Sequence, residues 1–526
     1  MSLQDDRSAR VFELMMRRRG FLGLLGGAAA ANVLGPVPAT AQTPKRGGVL
    51  KVSAPANPSS LDPYTGGSGL DHSFLYIIFD TLIEWEYETL KARPGLAESW
   101  TFTDPLTLVL KLRQNVVFHD GTPFNADAVK FNLDRGKQDQ RSNIKADLVT
   151  VTSVEVTGPH QVTLKLSQPD TALPLILSDR AGMMSSPKAV QEFGREHDRK
   201  PIGTGPWKLV SFADGEKVVA TRNEKYWKPG LPHLDGIEMA IIPEVATGLR
   251  SVMAGENHYV YQLQAQQRPL AERNKSLVVA SGPTVYCALL YFNCARPPFN
   301  DVRIRKAVNF TLNREDFVKL TMGGAAEPAA MLLPSTHWAY DNETAKLYPH
   351  DIDKAKALLA EAGHKDGLDI NMVGYTDQNS IRRQEVLIEQ FKKAGMRLRF
   401  SNGTIPETSA NFFGPEKKGD GLLAAWTGRP DPSLSYSLMF LKDAYFNPGR
   451  VEISPELTAA ISESRKSDDL EGRREAFAKV QRLMMGHALC APLAFQFELD
   501  AFSTRVKGYK PNLLGKPKFE DVWLDS

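Results

Sequence analysis

Helix-period and strand-period stretches alternate between residues 352 and 400, and this alternation restricts the fold of the chain more than any other feature. Ala355, Leu358, Leu359 and Ala362 share one helical face closed by Gly363, and Leu368, Ile370 and Met372 then alternate as a strand does. Ser380 is the expected cap of a second helix, whose Leu387, Ile388, Phe391 and Ala394 face inward as far as Gly395, before Met396, Leu398 and Phe400 form another strand. Strand, helix and strand at this spacing require a parallel pair joined by a right-handed crossover. Earlier, Leu106, Leu108, Leu110 and Leu112 recur at period two, residues 119–123 make a turn, and Asn125 can cap a helix running through Phe131 and Leu133. The fold class is α/β.

The first 41 residues stand apart from that pattern. Arg18 and Arg19 precede a Gly/Ala-rich apolar run, and Ala39-Thr40-Ala41 supplies a small-x-small cleavage site, so the segment reads as an export signal of twin-arginine type, cleaved near Ala41/Gln42. The run from Phe21 to Leu34 is 14 residues long, whereas a membrane-spanning helix needs roughly 20. Cleavage leaves 485 of the 526 residues, and because five Arg and three acids depart, the formal charge falls from +3 to +1. That balance gives no footing for nucleic acid or an anionic membrane surface.

The first cysteine is Cys287, so none stands at the cleavage site to carry a lipid. At ~3.3 Å per residue along a strand, Cys287 and Cys294 lie roughly 23 Å apart, too far for a disulfide. With Cys490 as the third thiol, at least one stays free.

Catalytic and metal signatures are missing from the local sequence. There is no Cys-x-x-Cys, His-Glu-x-x-His, phosphate-loop or Gly-x-Ser-x-Gly pattern, and no two of the ten histidines stand four apart. No cofactor, no metal site and no enzymatic activity are expected. Two loops look informative instead. Gly203 and Gly205 allow a sharp turn ahead of Pro206-Trp207, and Trp426-Thr427-Gly428-Arg429-Pro430-Asp431-Pro432 follows the apolar strand GLLAAW at its carboxyl end, where α/β sheets bind ligands.

The segments PGLAESW, FHDGTPFNADAVKF, PIGTGPWKLVSF, RNEKYWKPGLPHLDGI, LLYFNCARPPFNDVRIRKAVNFTLNREDFVK, DIDKAKALLAEAGHKDGL and WTGRPDP, in this order from about residue 48 to 515, resemble the peptide/nickel class (family 5) of extracellular solute-binding proteins. The resemblance implies a two-lobed periplasmic-binding-protein clamshell with parallel-rich sheets in each lobe. Lobe 1 would comprise residues 43–285 with an inserted subdomain near 79–201, lobe 2 residues 286–489, and a C-terminal segment 490–526 would return to lobe 1. It also implies a monomeric periplasmic receptor, neither lipid-anchored nor membrane-embedded, that delivers a small-molecule solute to the permease and ATPase subunits of an ABC importer.

In peptide receptors of this class an aspartate just after the Trp-x-x strand end pairs with the peptide ammonium, and the equivalent slot here holds Arg429. An arginine seven residues before an Arg-Arg pair receives the carboxylate in the dipeptide subgroup, and counting back from Arg382-Arg383 gives Tyr375. With both peptide features replaced, the resemblance implies an anionic or carboxylated solute, peptide- or opine-like, held by Arg429 with Trp426, Thr427 and Tyr375 around it. Tyr64 and Tyr286 are further cleft candidates. Asp431, Gly203 and Gly205 are expected to be structural, near the cleft. A dipeptide or oligopeptide receptor, a metal or haem receptor, and a periplasmic hydrolase are the competing readings; the last lacks a recognisable nucleophile and base.

Overall fold

The structure, a computed structural model, describes residues 43–467 and 469–525, excluding the side chains of residues 405 and 406. The expected export signal at 1–41 lies outside the described residues.

Two open sheets organise the chain. The first has seven strands in the order Leu277–Gly282, Glu498–Ser503, Tyr259–Val260, Val49–Ala54, Gly236–Ile241, Lys217–Arg222 and Trp207–Ala213. The second has six, in the order Ala326–Pro328, Cys490–Gln496, Cys287–Phe292, Gly421–Trp426, Leu368–Tyr375 and Met396–Gly403. Each sheet packs its own apolar core. A third core belongs to the inserted portion, where the four-stranded antiparallel sheet Ala97–Asp104, Thr107–Leu112, Gln161–Leu166 and Val151–Gly158 meets the helix Ala126–Gln138 through Leu108, Leu110, Leu112, Val129 and Leu133.

The strand-helix-strand reading of residues 352–400 matches the structure: Leu368–Tyr375 pairs parallel with Met396–Gly403 across the helix Gln378–Lys393. The expectation of parallel-rich sheets does not hold, because only two pairings in each sheet are parallel. Parallel pairing needs a long crossover. The tight turn between Trp207–Ala213 and Lys217–Arg222 instead reverses the chain, and Cys287–Phe292 and Cys490–Gln496 run antiparallel to each other and to their outer neighbours.

Helix ends follow side-chain chemistry. Asn125 caps its helix by accepting from Ala128 N at 3.0 Å. The cap of the helix after Tyr375 is Asp377, not Ser380: the Asp377 carboxylate accepts from the Ser380 amide at 3.0 Å, which puts Ser380 inside the first turn. All three cysteines are free and buried. Among the described residues no helix is long and apolar enough to cross a membrane.

The chain passes from the first sheet to the second between Gly282 and Cys287 and returns between Gln496 and Glu498. The return therefore lies near residue 497 rather than 490, since the apolar strand Cys490–Gln496 is paired on both sides within the second sheet.

Candidate functional site

One edge of the second sheet collects the informative residues. The parallel strands Leu368–Tyr375 and Gly421–Trp426 end there, and the antiparallel Cys287–Phe292 begins there, with Cys287 opposite both Trp426 and Phe495. Both connections to the first sheet leave from this edge. Tyr286, Tyr375, Gln496 and the loop after Trp426 are thus gathered where the two halves meet, beyond the carboxyl ends of parallel strands.

The loop bearing Arg429 is shaped by Gly428. Its φ is +72°, and a Cβ there would come within 2.2 Å of Val285 Cγ2, so only glycine lets the loop fold against the connection between the halves. The Arg429 guanidinium lies over the Trp426 ring, 5.0 Å from its centroid, and Nη1 donates to Thr427 Oγ1 at 3.2 Å and to the Gly428 carbonyl at 2.7 Å. Trp426 is only 3 % exposed, and its Nε1 donates to Ser435 Oγ at 2.8 Å. It supports Arg429 and offers little free surface for stacking. Asp431 is engaged elsewhere, accepting from Ser433 N at 2.9 Å and from Arg473 Nη2 at 2.7 Å. Among the described residues no carboxylate stands within ion-pair distance of Arg429.

A second unpaired guanidinium belongs to Arg383, on the helix Gln378–Lys393. Its Nη2 donates to Gln496 Oε1 at 3.3 Å, and it too has no ion-pair partner among the described residues. Burial lowers its pKa, with Tyr286 and Asp377 acting in the opposite direction. Tyr286 remains 36 % accessible, and desolvation raises its phenol pKa, with Arg383 acting in the opposite direction. Tyr375 is half-buried, its hydroxyl 3.3 Å from Ser409 Oγ.

Asp147, Asp179 and Lys516 bring further charge. Burial raises Asp147 to about 6, with Arg429 the chief opposing influence. Burial lowers Lys516 to about 8 against its ion pair with Asp179 at 3.4 Å. Burial alone would raise Asp179, but His72 and Lys516 hold it well below the ordinary carboxylate range. Arg383, Asp147 and Lys516 were not singled out from the sequence. The Arg382-Arg383 pair was the available signal for the first; the other two carry no local pattern.

Tyr64 belongs elsewhere. It has no exposed surface, packs in the core of the inserted portion, and donates to the Met183 carbonyl at 3.2 Å. Arg135 covers its ring at 5.1 Å. Gly203 and Gly205 serve close backbone approach: a Cβ on Gly203 would meet Ile78 O at 2.2 Å, and one on Gly205 would meet Ile78 C at 2.5 Å. They seat the chain returning from the inserted portion on the end of the helix His72–Ile78. Among the described residues no group of three or more His, Cys, Asp or Glu could hold a metal ion.

The family model for bacterial extracellular solute-binding proteins, family 5 (middle), matches residues 91–447. The glutathione-binding protein GsiB of Salmonella typhi is 28 % identical over 474 residues, covering 87 % of this chain and 91 % of that protein. Among solved structures, the ABC transporter-associated periplasmic binding protein DppA from Helicobacter pylori, in complex with peptide STSA, is similar with a TM-score of 0.79 at 23 % identity, covering 92 % of this chain and 99 % of that one. The ABC transporter substrate-binding protein CtaP from Listeria monocytogenes is similar with a TM-score of 0.82 at 22 % identity, covering 92 % and 100 %. The chain has their two-lobed α/β fold, and it belongs to the bacterial extracellular solute-binding proteins, family 5, as a binding protein of an ABC importer rather than an enzyme.

Proposed function

We propose that the protein captures a small carboxylated solute, peptide- or opine-like, between its lobes and presents it to the permease subunits of its importer. The observation that carries this reading is the pair Arg383 and Arg429, two guanidinium groups at the meeting of the halves with no carboxylate partner among the described residues. A desolvated cation without a counter-ion is unfavourable, and a carboxylate that accepts two parallel N–H bonds relieves it. Tyr286 and Tyr375 line the same region. Solute contacts made to both lobes favour the closed form, and only such differential contacts shift the opening equilibrium. The glutathione named for the GsiB relative carries two carboxylates, which suits two free arginines.

The lobe limits belong to the same proposal: residues 43–285 with 497–526 form lobe 1, with its insertion near 79–201, and residues 286–496 form lobe 2. So do export by the twin-arginine signal, periplasmic residence, and action as a monomer. Isothermal titration of the mature chain with glutathione and other small carboxylates tests the site. Saturable binding weakened in Arg383→Ala and Arg429→Ala is expected, whereas binding untouched by both substitutions would overturn it. An intact mass starting at Gln42 would support the cleavage site; a chain retaining residue 1 would contradict it.

A further inference from the structure

A cavity of about 480 Å³ lies on the seam between the inserted portion and the second half of the chain, and none of Arg383, Arg429, Tyr286 and Tyr375 lines it. One wall carries Lys91, Trp100, Phe102 and Thr171, and the other carries Trp338 and Arg473. Trp100 and Phe102 stand two apart on the strand Ala97–Asp104 and so share a face. Arg473 lies in the first turns of the helix Leu470–Gly486. Its side chain is 8 % exposed, its guanidinium sits 5.3 Å from the centroid of the Trp338 ring, and Nη2 donates to Asp431 Oδ2 at 2.7 Å. Thr171 Oγ1 and Trp338 Nε1, one from each wall, are buried without a hydrogen-bond partner among the described residues. No acidic residue lines the cavity. Lys91 is exposed and makes no ion pair among the described residues, the nearby Glu84 being held by Arg93 and Lys228, both at 2.7 Å. Beside the cavity the same two walls are joined by the Thr171 amide, which donates to the Arg465 carbonyl at 2.8 Å.

Aromatic side chains on both walls, a rim cation without a counter-ion and the lack of any lining acid together describe an occupant with a flat apolar body and one anionic group. We infer that this seam is a second ligand site, separate from the solute cleft, and that it takes an aromatic carboxylate. The ring packs against Trp100 and Phe102 on one side and Trp338 on the other, and the carboxylate accepts from Lys91 Nζ and the Thr171 hydroxyl. The volume falls within the ~300–1,000 Å³ of small-molecule sites and admits a two-ring acid. A basic or zwitterionic compound is disfavoured, because no lining group receives its cation. Under the lobe limits proposed above the two walls belong to different lobes, so the occupant makes its full contacts only when the lobes are together. It therefore favours the closed form, and acid at the seam and solute in the cleft strengthen each other's binding. Arg473 ties the seam to the loop bearing Arg429 through Asp431. None of this depends on which solute the cleft takes.

Titration calorimetry of the mature chain with indole-3-acetate and its neutral amide, indole-3-acetamide, tests this. The acid should bind the wild type saturably, and Lys91→Glu and Trp100→Ala should each weaken it roughly tenfold. The amide should bind the wild type roughly tenfold more weakly than the acid does and be indifferent to Lys91→Glu. If Trp100→Ala melts early, Lys91→Glu carries the test, since that position is exposed. Binding of the acid should persist in Arg383→Ala and Arg429→Ala. Affinity lost in those two variants but kept in Lys91→Glu would put the acid in the cleft and overturn the seam site, as would the absence of saturable binding to the wild type; neither result contradicts the carboxylate reading of the cleft, whose own test is solute binding in the arginine variants. Saturating indole-3-acetate should also shrink the radius of gyration of the solute-free protein in small-angle scattering, and an unchanged radius would overturn the bridging of the lobes.

Discussion

Replacing Arg465 by alanine should open the molecule. Arg465 lies just beyond the helix Pro455–Glu463, and its Nε and Nη2 donate to Asp170 Oδ1 and Oδ2 at 2.9 and 2.6 Å. Asp170 follows the inserted sheet; its side chain is fully buried and that of Arg465 is 11 % exposed. Thr150 Oγ1 donates to the same carboxylate at 2.6 Å, and the Thr171 amide donates to the Arg465 carbonyl at 2.8 Å. Removing one member of a buried ion pair costs about 3–5 kcal/mol because the other charge is stranded. Here Thr150 keeps one bond, and opening lets Asp170 reach water, so about 2–3 kcal/mol falls on the closed form. At ~1.4 kcal/mol per tenfold, closure weakens roughly thirtyfold to a hundredfold. Calorimetry should show solute affinity reduced to that extent, and small-angle scattering should show a larger radius of gyration without solute. Arg465→Lys should recover only part of the loss, since lysine lacks the planar fork. If Arg465→Ala binds as the wild type does and scatters identically, this bridge does not control closure.

Three further outcomes are expected. Tyr64→Phe should lower unfolding stability by about 1 kcal/mol by leaving the Met183 carbonyl unpaired, with solute affinity unchanged; weakened binding by a folded variant would return Tyr64 to the site. Gly205→Ala should destabilise by about 1–3 kcal/mol, because its Cβ would stand 2.5 Å from Ile78 C, and an unchanged melting temperature would refute that packing. Burial lowers His337 from 6.5 to about 4, and its Nδ1 already accepts from Ala339 N at 3.1 Å. The unfolded chain then binds the extra proton between those pH values, so the contribution of His337 is complete above pH 6.5 and is lost as pH falls toward 4. In urea unfolding, the wild type should therefore lose up to about 3 kcal/mol more than His337→Gln over that range, at ~1.4 kcal/mol per pH unit; parallel pH profiles would show that the imidazole titrates normally.

Features set by neighbours in sequence were legible before the structure. The Asn125 cap, the period-two leucines of Thr107–Leu112 and the helix stops at Gly363 and Gly395 depend on residues within a few positions of one another. Direction of pairing was less so, because nothing local in Cys490–Gln496 shows that it lies antiparallel to a strand some two hundred residues earlier. The site was hardest to read. Arg383 and Arg429 come from distant segments, and their role arises from the absence of an ion-pair partner among the described residues rather than from spacing. Of the adjacent Arg382 and Arg383, only the second is half-buried, a consequence of helix phase against the neighbouring strands. Tyr64 follows a Leu-Asp-Pro turn that resembles a cleft loop, but Arg135 and the inserted core enclose it.

The central claim, that two unpaired arginines receive a carboxylated solute, is tested most directly by native mass spectrometry of the mature protein purified from its own host, followed by denaturation and identification of whatever is released. The account predicts a small molecule with at least one carboxylate, retained by the wild type and absent from Arg383→Ala and Arg429→Ala. A solute without a carboxylate, or one retained equally by both variants, would contradict it.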